Sequence, residues 1–204
     1  VKEATFALQP GTITTIVGES GSGKSTIARM VLGLLPITSG KVTFDGKDFT
    51  NPTGRDRNAY WRNVQAVFQD PFSSFNQFFT VKTLLDRSLR LLDESVGKDR
   101  MVEALGHVGM DTSVLDRYPH QMSGGQRQRV MIARALMLRP RLLIADEATS
   151  MLDASLRVNI LNVLTDLRDE LGMTVLFITH DIGQACYMAD QVLVMEHGVM
   201  VEQG

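Results

Sequence analysis

The sequence predicts an α/β fold in which helices cover both faces of a mainly parallel sheet. Short apolar runs of strand length, such as Ile13–Val17, Val64–Phe68 and Thr174–Thr179, recur along the chain. Longer stretches with helical periodicity alternate with them after residue 140, the clearest being Ala154–Leu171. Alternation of strands and helices is typical of parallel sheets, because each crossover connection is long enough to hold a helix.

The first part of the chain adds a small antiparallel β part near the N-terminus. Residues 1–8 alternate loosely, and Pro10-Gly11 turns the chain into the first buried strand, which a helix at 27–35 follows. Residues 41–44 and a short piece after Asp45-Gly46 predict an exposed hairpin. Residues 51–58 are polar and predict a loop.

Between residues 72 and 139 the pattern becomes helical only. Segments 81–92, 99–108 and 124–138 have helical periodicity, and no convincing strand lies among them. We therefore predict a single domain whose α/β core, residues 1–71 and 140–204, carries a helical insertion at 72–139. The core resumes with a strand at 142–145, the helix Ala154–Leu171, the strand Thr174–Thr179, the helix Ile182–Met188 and a strand at 192–195. The predicted apolar face of the long helix consists of Ile160, Val163, Leu164, Leu167 and Leu171.

A glycine-rich loop between the first strand and the first helix predicts a phosphate site. Gly18, Gly23, Lys24 and Ser25 fit the spacing G-x-x-x-x-G-K-[ST]. Glycines let backbone N–H groups converge on an anion, and the helix N-terminus adds positive charge. The expected nucleotide contacts are Gly18, Ser20, Gly21, Ser22, Gly23, Lys24, Ser25 and Thr26. A flexible linker is the alternative, but a linker would not join a buried strand to an apolar helix.

Polar side chains follow three of the predicted strands. Asp146 and Glu147 end the run Leu142-Leu143-Ile144-Ala145, Gln69 follows Val67-Phe68, and His180 follows Ile178-Thr179. Because parallel strands end together, these side chains are expected beside the phosphate loop. There Asp146, with Ser25 and Gln69, would bind Mg²⁺, Glu147 would polarise the attacking water, and His180 would contact the γ-phosphate. The alternatives are a solvated acidic pair and two structural polar residues.

A second small-residue turn precedes the helix at 124–138. Ser123, Gly124, Gly125 and Gln126 open that helix and predict another anion site at a helix N-terminus. One nucleotide cannot easily touch both turns of one molecule, so a symmetric head-to-tail pair of chains is expected to enclose two nucleotides. The alternative is a helix cap made by Ser123, which the same residue can also provide.

Composition limits the range of functions. The 21 Lys and Arg residues against 23 Asp and Glu residues give a net charge of −2, so we expect no nucleic-acid partner. No apolar run reaches membrane-spanning length, and nothing resembles a signal peptide. With one cysteine no intramolecular disulfide can form, and a reducing cytoplasmic setting is expected.

These motifs, in this order, resemble the ATP-binding subunits of ABC transporters over nearly the whole chain. The resemblance implies a P-loop NTPase (RecA-like) core, ATP and Mg²⁺ as cofactors, and a dimer that encloses ATP. It assigns phosphate and Mg²⁺ contacts to Lys24 and Ser25, the Q-loop to Gln69, and the catalytic base to Glu147. It makes Asp153 part of a D-loop at the dimer interface, His180 the switch histidine, and Ser123-Gly124-Gly125-Gln126 the signature.

Residues 67–76 and Arg117-Tyr118-Pro119-His120-Gln121 resemble the dipeptide, oligopeptide and nickel importer subfamily. Three departures leave the catalytic groups in place: Met122 for the usual Leu, Ala148 for the usual Pro and Met151 for the usual Ala. The aromatic residue that stacks on adenine in this family would lie before Val1, and this subfamily normally continues beyond Gly204. We therefore expect a trimmed domain with weakened nucleotide affinity.

The resemblance implies the ATPase of a solute importer, peripheral on the cytoplasmic face of the cell membrane. A di- or oligopeptide is the expected solute, with nickel or an oligosaccharide as alternatives. A DNA-repair ATPase or a tandem-domain translation factor is less favoured, because sustained heptads and basic bias are absent from the sequence. The implied partners are an identical or paralogous ATPase subunit, permease subunits and, indirectly, an extracytoplasmic substrate-binding protein. Phe72, Phe75 and Phe78 either contact the permease or pack within the insertion.

Overall fold

The computed structural model describes residues 1–70, 76–90 and 98–204, and its main body is a six-stranded sheet. The strands are β1 (Ile13–Val17), β2 (Thr43–Phe44), β3 (Lys47–Asp48), β4 (Val64–Phe68), β5 (Leu142–Asp146), β6 (Thr174–Thr179), β7 (Gln191–Glu196) and β8 (Val199–Gln203). The helices are α1 (Lys24–Val31), α2 (Gly54–Asn63), α3 (Val81–Arg90), α4 (Lys98–His107), α5 (Gly124–Leu136), α6 (Ala154–Leu171) and α7 (Ile182–Met188).

The strand order β4-β5-β6-β1-β7-β8 confirms the mainly parallel sheet. The first five strands in this order are parallel, and only β8 pairs antiparallel with β7. The strand β8 is not among the predicted elements. The pair β2–β3 forms the small antiparallel sheet that the hairpin pattern predicts. Residues 1–8 contribute only one isolated bridge, between Glu3 and Val199.

Alternate residues of the central strands supply two apolar layers, one on each face of the sheet. Leu143 and Phe177 belong to the layer that contains α6 residues, whereas Ile144 and Leu176 belong to the layer with residues of α1. All five residues of β5 are buried, which explains why its first four residues form a continuous apolar run. In the described residues between β4 and β5 the regular elements are helical.

Three predictions are wrong, one about a loop and two about helices. Residues 54–58 belong to α2 and not to a loop, because Tyr60 and Trp61 anchor the helix by donating hydrogen bonds to the carbonyls of Val31 and Leu32. The helix α1 ends at Val31 and does not reach residue 35, since Gly33 takes a left-handed conformation with φ of 67°. Leu171, assigned to the apolar face of α6, is 44% exposed beside the capping residue Gly172.

None of the helices in the described ranges combines the length and apolar character needed to cross a lipid bilayer.

Candidate functional site

The loop between β1 and α1 contains several glycines at positions where a side chain would clash or strain the backbone. A Cβ atom on Gly18 would lie 2.1 Å from the carbonyl oxygen of Met195 in β7. Gly21 and Gly23 have φ values of 82° and 107°, which L-residues with side chains rarely adopt. The carbonyl of Ser22 accepts a hydrogen bond from the N–H of Gly198, which ties the loop to the turn between β7 and β8. The loop is therefore a preformed cradle.

Lys24 is buried at the start of α1, directly under this loop. Its ammonium group donates hydrogen bonds to the carbonyls of Gly18 and Glu19, at 2.8 and 2.7 Å. Burial lowers the pKa of Lys24, whereas the nearby carboxylates of Glu147 and Asp146 act in the opposite direction. The buried hydroxyl of Ser22 has no hydrogen-bond partner among the described residues. Ser20 is exposed in the loop, and Thr26 is half-buried in the first turn of α1.

Ser25 and Asp146 bring two oxygen ligands together. The Ser25 hydroxyl donates a hydrogen bond of 2.9 Å to Oδ1 of Asp146 at the end of β5. Burial raises the pKa of Asp146; the bond from Ser25 opposes this rise and the charge of Glu147 adds to it. Hydroxyl and carboxylate oxygens are the kind of ligand that Mg²⁺ takes in proteins. The donor set at this point fits a magnesium ion.

Glu147 has a strained backbone conformation. Its φ is 49°, in the left-handed region, although its N–H still donates to the carbonyl of Ile178 at 2.9 Å. Its carboxylate Oε1 lies 3.3 Å from Nδ1 of His180. Non-glycine residues that are held in the left-handed region by surrounding contacts cluster at functional sites.

The four strand ends line up along one edge of the sheet. Phe68 pairs with Asp146, Asp146 with Ile178, and Val17 with Thr179. The residues that follow these strand ends are Gln69, Glu147, His180 and Gly18, in the order β4, β5, β6 and β1. Gln69 is exposed at this edge. The edge thus places an amide, a carboxylate, an imidazole and the phosphate loop in one row.

The Ser123–Gln126 segment forms a capping box at the start of α5. The N–H of Gln126 donates to the Ser123 hydroxyl, and the N–H of Ser123 donates to the Gln126 side-chain carbonyl, at 3.3 and 3.0 Å. The helix cap expected as an alternative is therefore present. A Cβ atom on Gly124 would lie 3.3 Å from the side chain of Leu152, and one on Gly125 would lie 3.0 Å from Leu156.

Asp153 begins α6. Its carboxylate accepts hydrogen bonds from the N–H of Leu156 and the hydroxyl of Ser155, at 3.0 and 2.8 Å. These bonds lower the pKa of Asp153, the bond from Leu156 most strongly. Of the three phenylalanines, Phe72 and Phe75 lie outside the described residues, and Phe78 is 87% exposed.

Three residues of the site were missed at the sequence level. Met195 packs behind the phosphate loop, where its carbonyl requires Gly18 and its side chain approaches Gly23. Thr149 and Gln184 form a hydrogen bond of 2.6 Å beside Glu147 and His180. No sequence spacing indicates these contacts, because each joins segments that are distant along the chain.

A family model described as ABC transporter matches residues 1–150, and the chain belongs to this family. The chain is therefore an ATPase that binds ATP. The chain is 42% identical over 207 residues to the oligopeptide transport ATP-binding protein AmiF of Streptococcus pneumoniae serotype 4, covering 99% of this chain and 67% of that protein. It is 44% identical over 215 residues to the peptidoglycan transport ATP-binding protein YejF of Agrobacterium fabrum, covering 100% of this chain and 39% of that protein.

Solved structures show the same architecture. The chain superposes on cbiO1 from Clostridium perfringens, part of the ABC transporter complex cbiONQ, with a TM-score of 0.87, 31% identity and coverage of 98% of this chain and 79% of that one. The dimeric post-hydrolysis state of the ATP-binding cassette MJ0796, bound to ADP and Pi, gives a TM-score of 0.83, 28% identity and coverage of 98% and 87%. The similarity confirms the P-loop fold class.

Proposed function

We propose that this chain hydrolyses ATP to power the import of a di- or oligopeptide through a membrane permease. The row of Gln69, Glu147, His180 and the phosphate loop along one sheet edge carries this proposal. The names of the relatives favour a peptide over nickel or an oligosaccharide, since several are oligopeptide or peptide transport proteins. The same names favour a transport ATPase over a DNA-repair ATPase or a translation factor.

In the proposed reaction, Glu147 accepts a proton from water while the water oxygen attacks the γ-phosphorus. The bond between the γ-phosphorus and the bridging oxygen breaks, and ADP leaves with the bond electrons. Lys24 and the N–H groups of residues 18–26 bind the phosphates, and His180 and Gln69 contact the γ-phosphate. A Mg²⁺ ion bound by Ser25, Gln69 and Asp146 would neutralise charge on the phosphate oxygens.

The assembly we propose is a dimer with an identical or paralogous ATPase subunit, mounted on permease subunits at the cytoplasmic face of the membrane. The signature Ser123–Gln126 and Asp153 of one chain would complete the nucleotide site of the other. The position of Ser123–Gln126 at the N-terminus of α5 supports this arrangement, because helix N-termini attract phosphate. A substrate-binding protein would deliver the peptide, and the exposed Phe78 would contribute to permease docking. We also propose that the chain is one domain, in which residues 72–139 form a helical insertion within the α/β core.

The decisive experiment replaces Glu147 by Gln in the full-length protein assembled with its permease. Removal of a positioned base typically costs 10²–10⁴-fold, so ATP turnover should fall by about that factor while ATP binding persists. Glu170→Gln is the matched control, because Glu170 is exposed at the C-terminal end of α6, whereas Glu147 precedes the N-terminal end of that helix. Turnover within a few-fold of the parent for Glu147→Gln would exclude Glu147 as the base.

A further inference from the structure

We infer that Thr149 and Gln184 form a positioning bridge that sets the separation of Glu147 and His180. This inference rests on the proposed roles of Glu147 and His180 in ATP hydrolysis. Neither bridge residue is assigned a contact with nucleotide, so both act through the two residues they position. The arrangement is visible only in the tertiary structure, since 35 positions separate Thr149 from Gln184.

The bridge uses both ends of the Gln184 amide. The hydroxyl of Thr149, a residue only 1% exposed, donates to Oε1 of Gln184 at 2.6 Å. Nε2 of Gln184 donates to Oδ2 of Asp181 at 3.1 Å. With an acceptor contact on one side and a donor contact on the other, the amide has one orientation that satisfies both.

Each end of the bridge lies in the turn that carries one of the two proposed catalytic residues. Thr149 lies in the turn after Glu147, where the N–H and hydroxyl of Ser150 donate to the Glu147 carbonyl at 3.1 and 3.0 Å. Asp181 directly follows His180, and its N–H donates to the Thr179 hydroxyl at 3.1 Å. The bridge therefore connects the Glu147 turn to the His180 turn in addition to the direct contact between the Glu147 and His180 side chains.

The direct contact between the two catalytic side chains is too weak to set their geometry. The 3.3 Å separation of His180 Nδ1 and Glu147 Oε1 exceeds the usual range for a good N–H···O bond. The His180 side chain is 56% exposed, and Glu147 has the strained φ of 49°. Surrounding contacts must over-determine such a backbone, and the short, partly buried bond from Thr149 restrains the turn two residues beyond Glu147.

The bridge residues also line a small polar pocket together with Glu147 and His180. The pocket has a volume of about 20 Å³ and is lined by Glu147, Thr149, His180 and Gln184 among others. A space of this size holds about one water molecule, so truncating Gln184 would admit additional water. Methionine is therefore the informative replacement, because it matches glutamine in length and lacks both hydrogen-bonding groups.

The test measures ATP hydrolysis by the full-length protein assembled with its permease in proteoliposomes. Gln184→Met and Thr149→Val should each lower kcat by about tenfold or more, because a misplacement of about 1 Å at a catalytic group can cost 10²-fold. The KM for ATP should stay within about twofold, since neither residue contacts nucleotide in the proposed complex. Thr149→Ser, which retains the hydroxyl, should recover most of the lost kcat.

Tyr187→Phe is the matched control. The Tyr187 hydroxyl donates to Asn162 at 2.8 Å and joins α7 to α6, whereas the bridge joins α7 to the turn after β5. This variant should keep the parental kcat. Gln184→Glu is a second variant that retains the acceptor for Thr149 but sets a negative charge against Asp181, and it should lower kcat as Gln184→Met does.

The double-mutant cycle with His180→Ala separates positioning from general stability. If the bridge acts through His180, adding Gln184→Met to His180→Ala should cause less than about a twofold further loss. Additive losses, or parental kcat for both Gln184 variants, would overturn the bridge. Should Glu147→Gln abolish turnover while the Gln184 variants remain active, the bridge alone is wrong. Parental turnover in Glu147→Gln would instead contradict the proposed function itself.

Discussion

Ser25 donates a hydrogen bond to Asp146 over 2.9 Å, although 121 positions separate the two residues in the chain. The contact joins the first turn of α1 to the end of β5, and so connects the phosphate loop to the acidic end of a buried strand. It also partly compensates for the burial of a carboxylate, whose pKa remains above its ordinary value. Burial of the charged Asp146 carboxylate therefore lowers the stability of the fold, although the same carboxylate is a proposed ligand of Mg²⁺.

Asp146→Asn should raise the free energy of unfolding of the nucleotide-free protein at pH 7. The pKa of Asp146 in the folded protein is above its ordinary value of 3.8, so the folded state binds this proton more tightly than the unfolded chain. Asp146 therefore contributes its full stabilisation below pH 3.8, where it is protonated in both states. This stabilisation is lost as the pH rises through the higher pKa of the folded protein. Urea unfolding of parent and variant at pH 4.5, 5.5 and 7 should show a difference that grows with pH.

Asp153→Asn provides a comparison of opposite sign. Its hydrogen bonds lower the pKa of Asp153, so its stabilising contribution is present above the ordinary value of 3.8 and is lost as pH falls. This variant should lower the free energy of unfolding at both pH 7 and pH 4.5, and the difference should shrink only below pH 3.8. If Asp146→Asn were less stable than the parent at every pH, the raised pKa would be contradicted.

Gly18→Ala should destabilise the protein more than Gly21→Ala. The new Cβ atom at residue 18 would lie 2.1 Å from the backbone carbonyl of Met195, so the loop or β7 must move, at a cost of roughly 3 kcal/mol. At Gly21 no atom lies within 4 Å, and the penalty is the left-handed φ of 82°, about 1 kcal/mol after the lower backbone entropy of unfolded alanine is included. Urea unfolding measures both, and equal losses would contradict the close approach to Met195.

Glu147→Gly should be more stable than Glu147→Ala by about 0.5–1 kcal/mol, although both variants lose turnover. A left-handed residue with a side chain costs about 1–2 kcal/mol, and the greater freedom of unfolded glycine returns about 0.5–1 of it. The comparison uses the φ of 49° at Glu147 and removes the carboxylate from both proteins. Denaturant midpoints at equal m-values provide the measurement; greater stability of the alanine variant would show that the backbone is not strained there.

Periodicity predicts the elements in which local pattern and burial agree. The bounds of Ala154–Leu171, Thr174–Thr179 and Ile182–Met188 are the same in sequence and structure. The helix α2 was missed because its first residues are polar and its stability comes from hydrogen bonds of Tyr60 and Trp61 to the end of α1. Leu171 was misplaced for a related reason, since the last turn of α6 extends beyond the core. Both errors concern packing between elements, which a local window does not contain.

The sequence by itself determined the phosphate-loop motif, the order of the strands and helices other than α2 and β8, and the polar residues that end three strands. These follow from residue type and spacing, since glycine, β-branched runs and capping residues have local physical preferences. Only the tertiary structure decided that Gly18 must clear Met195, that Glu147 is left-handed, and that Thr149 reaches Gln184. These contacts depend on the strand order β4-β5-β6-β1-β7, which brings together segments up to 177 positions apart, such as Ile13 and Asp190. Sequence spacing does not encode which strands become neighbours, because pairing is selected by the packing of the whole sheet.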